Sequence, residues 1–163
     1  MQVTIRKFKP GDQDAVCELI TGIMQQEFPQ STAAYPTADL DAIAKVYGNG
    51  DEGFFVAANQ DHVIGTVAVK KEDNRIALLR RIFVAPDHRK RRVGDALIDY
   101  AINFCKQHGY QEIVFKTSSK MDGAIRLCQK KGFQQRAKLE AGGLELLKFV
   151  LCLDKTGSAS SKH

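Results

Sequence analysis

The sequence predicts an α/β chain in which one mixed sheet carries helices on both faces. Strand-like segments run together early in the chain and alternate with helical segments later, the pattern of meandering strands followed by β-α-β units. A length of 163 residues is enough for one domain with its own core and too short for two ordinary ones. Hydrophobic residues make up 44% and charged residues 26%, a globular balance that excludes a collagen-like or wholly disordered chain. No apolar run approaches the ~20 residues that span a bilayer, so no membrane association is expected. The first ten residues read as a charged strand rather than a basic-then-apolar signal peptide.

Val3 and Ile5 alternate with polar residues ahead of Pro10-Gly11, giving an opening strand over 2–8. Asp12 is placed to cap a helix whose Ala15, Val16, Leu19, Ile20 and Ile23 recur at helical spacing. Residues 29–36 read as a loop, and Leu40, Ile43, Ala44 and Tyr47 as a short helix after it. A hairpin follows, with strands over 54–58 and 63–69 around Asn59-Gln60-Asp61. The literal GxGxxG string from Gly48 to Gly53 follows a helix and precedes a strand, the reverse of the dinucleotide-binding order, so it reads as a loop. Residues 76–84 form a longer apolar strand, broken by Arg80 and Arg81 and stopped at Pro86. Val93, Leu97, Ala101 and Phe104 mark one stripe of a helix that ends near His108-Gly109. A strand over 113–117, a helix over 121–131 and one or two closing strands, the last over 144–153, complete the pattern. Residues 1–154 are thus expected to form one domain and 155–163 a disordered Ser/Gly/Lys tail.

The net charge of +5 is concentrated. Between Arg75 and Arg92 lie seven basic residues and one acid, Asp87, so this window carries +6 and the rest of the chain −1. Such a patch suits a particular anionic partner, although a solvated surface cluster has the same composition. A nucleic-acid reading of Arg89-Lys90-Arg91-Arg92 lacks interleaved aromatics, and no nucleic-acid partner is expected. Cys17, Cys105, Cys128 and Cys152 are widely spaced without a CxxC pair, which argues against zinc and a disulfide scaffold and fits a reduced cytoplasmic compartment.

The informative segment runs from Ile82-Phe83-Val84 through Ala85-Pro86-Asp87-His88-Arg89-Lys90-Arg91-Arg92 to Val93-Gly94-Asp95-Ala96-Leu97. It is an apolar strand, a proline stop, a basic turn and a helix that opens on small residues. Unpaired amides and the positive end of the helix dipole collect at such a start, and Gly94 and Ala96 leave room for a bulky anion. This is equipment for a diphosphate. The segment resembles the signature of the GNAT acetyltransferase superfamily, a strand followed by Arg/Gln-x-x-Gly-x-Gly/Ala and a helix. Anchored on Pro86 and Leu97, the pattern begins at Arg89, reaches its second small position at Gly94 and puts Arg92 where the family has its middle glycine. Arg92 in a left-handed conformation would cost roughly 1 kcal/mol relative to Gly, so an ordinary conformation is expected there. The late helix ending in Gly132-Phe133, the opening Ile5 to Asp12 and the segment Val63 to Val67 also look like the family's, in the right order, from about residue 3 to 153.

The resemblance implies a mostly antiparallel central sheet with a splay between its fourth and fifth strands. It also implies transfer of an acetyl group from acetyl-CoA to a primary amine by direct attack, without metal. In this reading residues 89–96 hold the pyrophosphate. A backbone N–H of the bulged fourth strand, near Ile82 to Val84, meets the thioester oxygen, and Val84 pairs with the pantetheine arm. The partners are then acetyl-CoA and an amine acceptor on a small molecule or a protein, and the reading allows a homodimer.

The acid and base are less marked. The family's frequent proton-donor tyrosine aligns with Cys128, which reads first as core filler on the stripe of Met121, Ala124 and Ile125, and otherwise as a proton donor to the thiolate or a redox-sensitive thiol. The family's asparagine position is Met121, and a strand carboxylate found in some relatives falls at Leu78. Glu27, beside the loop after the first helix, is a candidate base through water; it also reads as a solvated helix-end acid. Thr117, Ser118 and Ser119 either border the acceptor or cap the following helix. Tyr35, Phe28 and Tyr47 suggest a partly aromatic acceptor rim. His62, His108 and His163 read as surface residues, while His88 stands within the phosphate turn. The missing tyrosine, asparagine and carboxylate leave open a catalytically weak acyl-CoA-binding or regulatory module.

Overall fold

The computed structural model describes residues 3–29 and 36–153. Seven strands, β1 (Val3–Lys7), β2 (Gly53–Asn59), β3 (His62–Lys71), β4 (Ile76–Val84), β5 (Glu112–Ser118), β6 (Gln134–Ala141) and β7 (Leu144–Cys152), form one sheet in the order β1-β2-β3-β4-β5-β7-β6. Every neighbouring pair is antiparallel except β4 and β5, which run parallel. The longer helices are α1 (Gln13–Glu27), α3 (Val93–Gln107) and α4 (Asp122–Lys130), with a single turn α2 (Ile43–Val46) continuing a 3-10 segment, Ala38–Ala42.

Strand β2 shows why the sheet is covered twice. Its side chains alternate faces, yet all from Gly53 to Ala58 are buried. Phe54 and Val56 pack with Val16, Ile20 and Met24 of α1 and with Ile43 and Tyr47, whereas Phe55 and Ala57 pack with Leu97, Ala101 and Phe104 of α3. Each fully buried Leu or Ile contributes about 1.5–3 kcal/mol, so the inner stripe of α3 (Val93, Leu97, Ile98, Ala101, Ile102) binds that helix firmly. Gly65 on β3 is small for a related reason. A Cβ there would lie 2.8 Å from the Leu97 side chain and 3.0 Å from the Phe83 carbonyl oxygen.

The expected architecture is present, with local corrections. Asp12 does not cap α1; its carboxylate takes two bonds from Arg6, at 2.8 and 3.0 Å, and one from the Lys9 amide at 2.8 Å. Those bonds and the Arg6 charge, set against some desolvation, hold Asp12 below the usual carboxylate range. The strand before the last is a full element, β6, exposed along its whole length, which explains its weak hydrophobic signal. The Gly48–Gly53 string is a turn between α2 and β2, as the order of elements required. Gly132 closes α4 at φ +101°, with the Phe133 amide bonded to the Cys128 carbonyl at 3.0 Å. The basic window does not form one patch. Arg75 lies at the start of β4, Arg80 and Arg81 at its middle, and residues 89–92 in the turn beyond it. The tail 155–163 and most of the loop 29–36 lie outside the described residues, Tyr35 and His163 among them.

Candidate functional site

The parallel pairing of β4 with β5 covers only Ile76–Leu79 against Glu112–Phe115. Beyond Leu79 the strands part, and β4 continues paired on its β3 side alone. A bulge drives the parting. Thr66 faces Phe83 and Ala68 faces Arg80, so Arg81 and Ile82 together oppose the single residue Val67. Arg81 takes the left-handed conformation, φ +56°, and its carbonyl accepts the Thr66 hydroxyl at 2.7 Å. A non-glycine residue stays there only when its surroundings over-determine it. They do: the Arg81 Nε donates to Asp39 Oδ2 at 3.1 Å, and its guanidinium also reaches the Pro36 carbonyl at 2.6 Å. Tyr47 donates its hydroxyl to the same Asp39 oxygen at 2.6 Å. Burial raises the affinity of Asp39 for its proton, but the bonds from Arg81 and Tyr47 outweigh this and leave the carboxyl more acidic than usual. Burial and the Asp39 bond push the Tyr47 phenol far up.

Between the parted strands lies a cleft of about 190 Å³. Leu78, Ile82, Phe83, Val114, Met121 and Ala124 supply apolar wall, and Thr117 a hydroxyl. The charged residues lining it are all cationic, Arg80, Arg81 and Lys116. Leu78 and Met121 both border this space and are apolar at the two positions where the family resemblance places a carboxylate and an asparagine. Ser118 is instead used locally: its hydroxyl accepts the Lys120 amide at 3.1 Å.

At the far end of β4, Pro86–His88 makes a 3-10 turn that leads into α3. Lys90 and Arg92 stand at φ +65° and +63°. The ordinary conformation expected of Arg92 is therefore not what the fold adopts; Arg92 takes the geometry of the glycine it replaces, because the N-cap of α3 must reverse the chain here. The first backbone bond of α3 runs from the Ala96 amide to the Arg92 carbonyl at 3.1 Å, so the amides of Val93, Gly94 and Asp95 precede it and point out of the helix start. Gly94 has a second reason to be small. A Cβ would approach Leu127 of α4 to 3.0 Å, so the residue lets α3 and α4 close together. The Asp95 carboxylate pairs with Lys130 and Lys131, at 3.0 and 3.2 Å, which lowers its proton affinity and offsets its charge at the start of α3. His88 Nδ1 is buried without a partner among the described residues.

The sequence reading places Arg89 in the basic turn and makes Glu27 a candidate base, and the fold joins the two. The guanidinium grips Glu27 through two bonds at 2.9 and 3.0 Å while its Nε donates to the Val84 carbonyl at 3.0 Å. Glu27 does not line the cleft, so its carboxylate serves as an ion-pair partner. Cys128 is fully buried within the core beside α3, and desolvation pushes its thiol up to about 12. A group that holds its proton so tightly is a poor donor, and packing is the role its position supports. Sequence reasoning missed the Asp39–Tyr47–Arg81 network. The two arginines, Arg80 and Arg81, inside an apolar strand were its one visible signal.

Residues 17–133 match the sequence pattern of the Acetyltransferase (GNAT) family. Among curated proteins, the chain is 28% identical over 122 residues to N-acetyltransferase 8F1 of Rattus norvegicus, covering 72% of this chain and 55% of that protein. It is 31% identical over 106 residues to an uncharacterized N-acetyltransferase of Methanocaldococcus jannaschii, covering 61% and 46%. The chain thus spans about half the length of these relatives. Among solved structures, a GNAT-family acetyltransferase from Staphylococcus aureus superposes with a TM-score of 0.81 at 22% identity, over 94% of this chain and 100% of that one. The yncA protein of Salmonella typhimurium, solved with its cofactor acetyl-CoA, gives 0.78 at 22% identity, over 94% and 95%. With its parted β4 and β5 and its basic turn into α3, the chain belongs to the GNAT acetyltransferase family.

Proposed function

We propose that the chain is an acetyl-CoA-dependent N-acetyltransferase acting on a primary amine. The observation that carries this reading is the edge of β4 beyond Leu79, unpaired with β5 and running directly into the turn that opens α3. An extended pantetheine arm fits that edge as an added strand would, and the amides of Val93 to Asp95, with Lys90 and Arg92 beside them, fit its diphosphate. Beside the bulge at Arg81, the β4 edge facing away from β3 leaves a backbone N–H near Ile82 as the fixed donor that stabilises charge growing on an acyl oxygen. Acetyl-CoA supplies an activated acyl group: the amine nitrogen bonds to its carbonyl carbon, the C–S bond breaks, and the thiolate leaves.

Deprotonation of the amine needs no dedicated carboxylate. Asp39 offsets one of the two charges of Arg80 and Arg81, so with Lys116 the cleft keeps a positive balance, and an ammonium there is disfavoured relative to the free amine, whose proton passes to water. The thiolate, a tolerable leaving group, takes its proton from water in turn.

Calorimetric titration with acetyl-CoA, together with CoA-thiol release across a panel of amines, tests the reading. Binding that weakens at least tenfold in Arg92→Glu, with thiol release that depends on the amine, is expected. Equal affinity in the variant removes the proposed turn, and tight binding without release on any amine favours the acyl-CoA-binding module instead.

A further inference from the structure

Lys116 of β5 follows Phe115, the last β5 residue paired with β4, so it stands at the mouth of the cleft. In the β5–β7 ladder it lies directly opposite Lys148. The Cβ atoms of such a pair are about 4.5–5.5 Å apart, and like charges placed this way repel. Both side chains are exposed, and neither meets a carboxylate among the described residues, whereas neighbouring Lys138 has Glu145 at 3.4 Å. A hollow of about 360 Å³ opens beside the two lysines, walled by Ala137, Leu139 and Leu146. Leu139 is 62% exposed and gives the hollow an apolar wall open to solvent.

Lys116 and Thr117 line both this hollow and the cleft, so the two spaces share a wall, and no Asp or Glu lines either. An apolar hollow with two opposed cations is a receptor for an apolar molecule bearing an anion. A carboxylate set between the ammonium groups replaces their repulsion with two charge-assisted hydrogen bonds. The same cations reject a polyamine or a basic peptide, which gives selectivity by repulsion as well as attraction.

Resting on the acetyl-transfer reading, we propose that the acceptor is a small amine that also carries a carboxylate. An amino acid or amino-acid conjugate with an apolar side chain meets this description. It binds with the carboxylate between Lys116 and Lys148, the apolar part against Leu139 and Leu146, and the amine directed into the cleft. The hollow has the size of a small-molecule site.

Three matched acceptors test it: L-phenylalanine, L-phenylalaninamide and 2-phenylethylamine, with the corresponding leucine set. The free acids are expected to show kcat/KM at least tenfold above the amides and the parent amines. In the Lys116→Met/Lys148→Met double variant this ratio is expected to fall below threefold. Calorimetry gives a readout apart from turnover, since N-acetyl-L-phenylalanine or N-acetyl-L-leucine is expected to bind the wild type and to bind the double variant at least tenfold more weakly. A thermal midpoint unchanged or raised, through loss of the opposed charges, shows that the variant is folded. Equal use of acids and amides, no use of any acid, or a preference that survives in the variant overturns the proposal. If acetyl-CoA binds in that event, only the acceptor assignment falls; if acetyl-CoA does not bind, the transferase reading falls with it.

Discussion

Arg89 holds Glu27 through two parallel N–H···O bonds, at 2.9 and 3.0 Å, and so ties the end of α1 to the turn that opens α3. Its third bond, to the Val84 carbonyl, occupies one of the two lone pairs at the point where the pantetheine arm is proposed to pair. Glu27→Gln leaves the guanidinium a neutral partner and makes it available to a phosphate. Acetyl-CoA affinity is expected to rise two- to fivefold by calorimetry, with kcat changing less than threefold. Stability is expected to change by less than about 0.5 kcal/mol, because the pair is exposed. A hundredfold loss of kcat with an altered pH profile would restore Glu27 as the base.

Arg92 holds a left-handed conformation at the N-cap of α3, in the turn proposed to hold the diphosphate, where glycine is the less strained residue. Arg92→Gly is expected to stabilise the fold by up to about 1 kcal/mol in urea denaturation while weakening acetyl-CoA. The slope of log affinity against log salt should flatten in parallel. Opposite signs for stability and binding are the signature of a residue retained for its charge at a cost in strain.

Much of this arrangement was legible before the structure. The proline stop, the basic run and the small residues at Gly94 and Ala96 place the turn, and Gly132-Phe133 closes the helix that packs beside it. Two aspects were not legible. The conformation of Arg92 is set by the geometry of the chain reversal, which overrides the side chain's own preference. The pairings of Arg89 with Glu27 and of Arg81 with Asp39 join residues 62 and 42 positions apart, and nothing local in the sequence selects one partner over another.

Asp39 neutralises an Arg81 side chain that is only 3% exposed. Asp39→Asn leaves that charge buried with weaker bonds, and a loss of about 3 kcal/mol is expected by chemical denaturation. The proton affinity of Asp39 is lowered in the folded chain. Its contribution is therefore complete above the unfolded carboxyl pKa and fades as pH falls through the lower folded value. Stability profiles below about pH 4 should be flatter in the variant than in the wild type. Because the network also pins the Arg81 bulge, kcat/KM is expected to fall at least tenfold at neutral pH, and Asp39→Glu to recover part of it.

Cys128 offers a test of packing against catalysis. Cys128→Ala is expected to reduce turnover less than tenfold, and Cys128→Ser to lose about 1–3 kcal/mol more stability than Ala, since a hydroxyl there lacks a partner. Its thiol pKa is raised from 9.0 to about 12, so the wild type should lose stability as pH climbs from 9 toward 12, where the unfolded chain ionises first. That alkaline decline should lessen in the Ala variant, as monitored by circular dichroism.

Four residue pairs, Ile76–Leu79 with Glu112–Phe115, and the bonds of the Gln111 and Glu112 amides to the Arg75 carbonyl form the backbone seam between β4 and β5 among the described residues. A guest lying along Ile82 to Val84 lengthens that seam like extra teeth on a zip. Amide exchange at the start of β5 should then slow when a thioester is bound, even where the guest touches no residue of that strand.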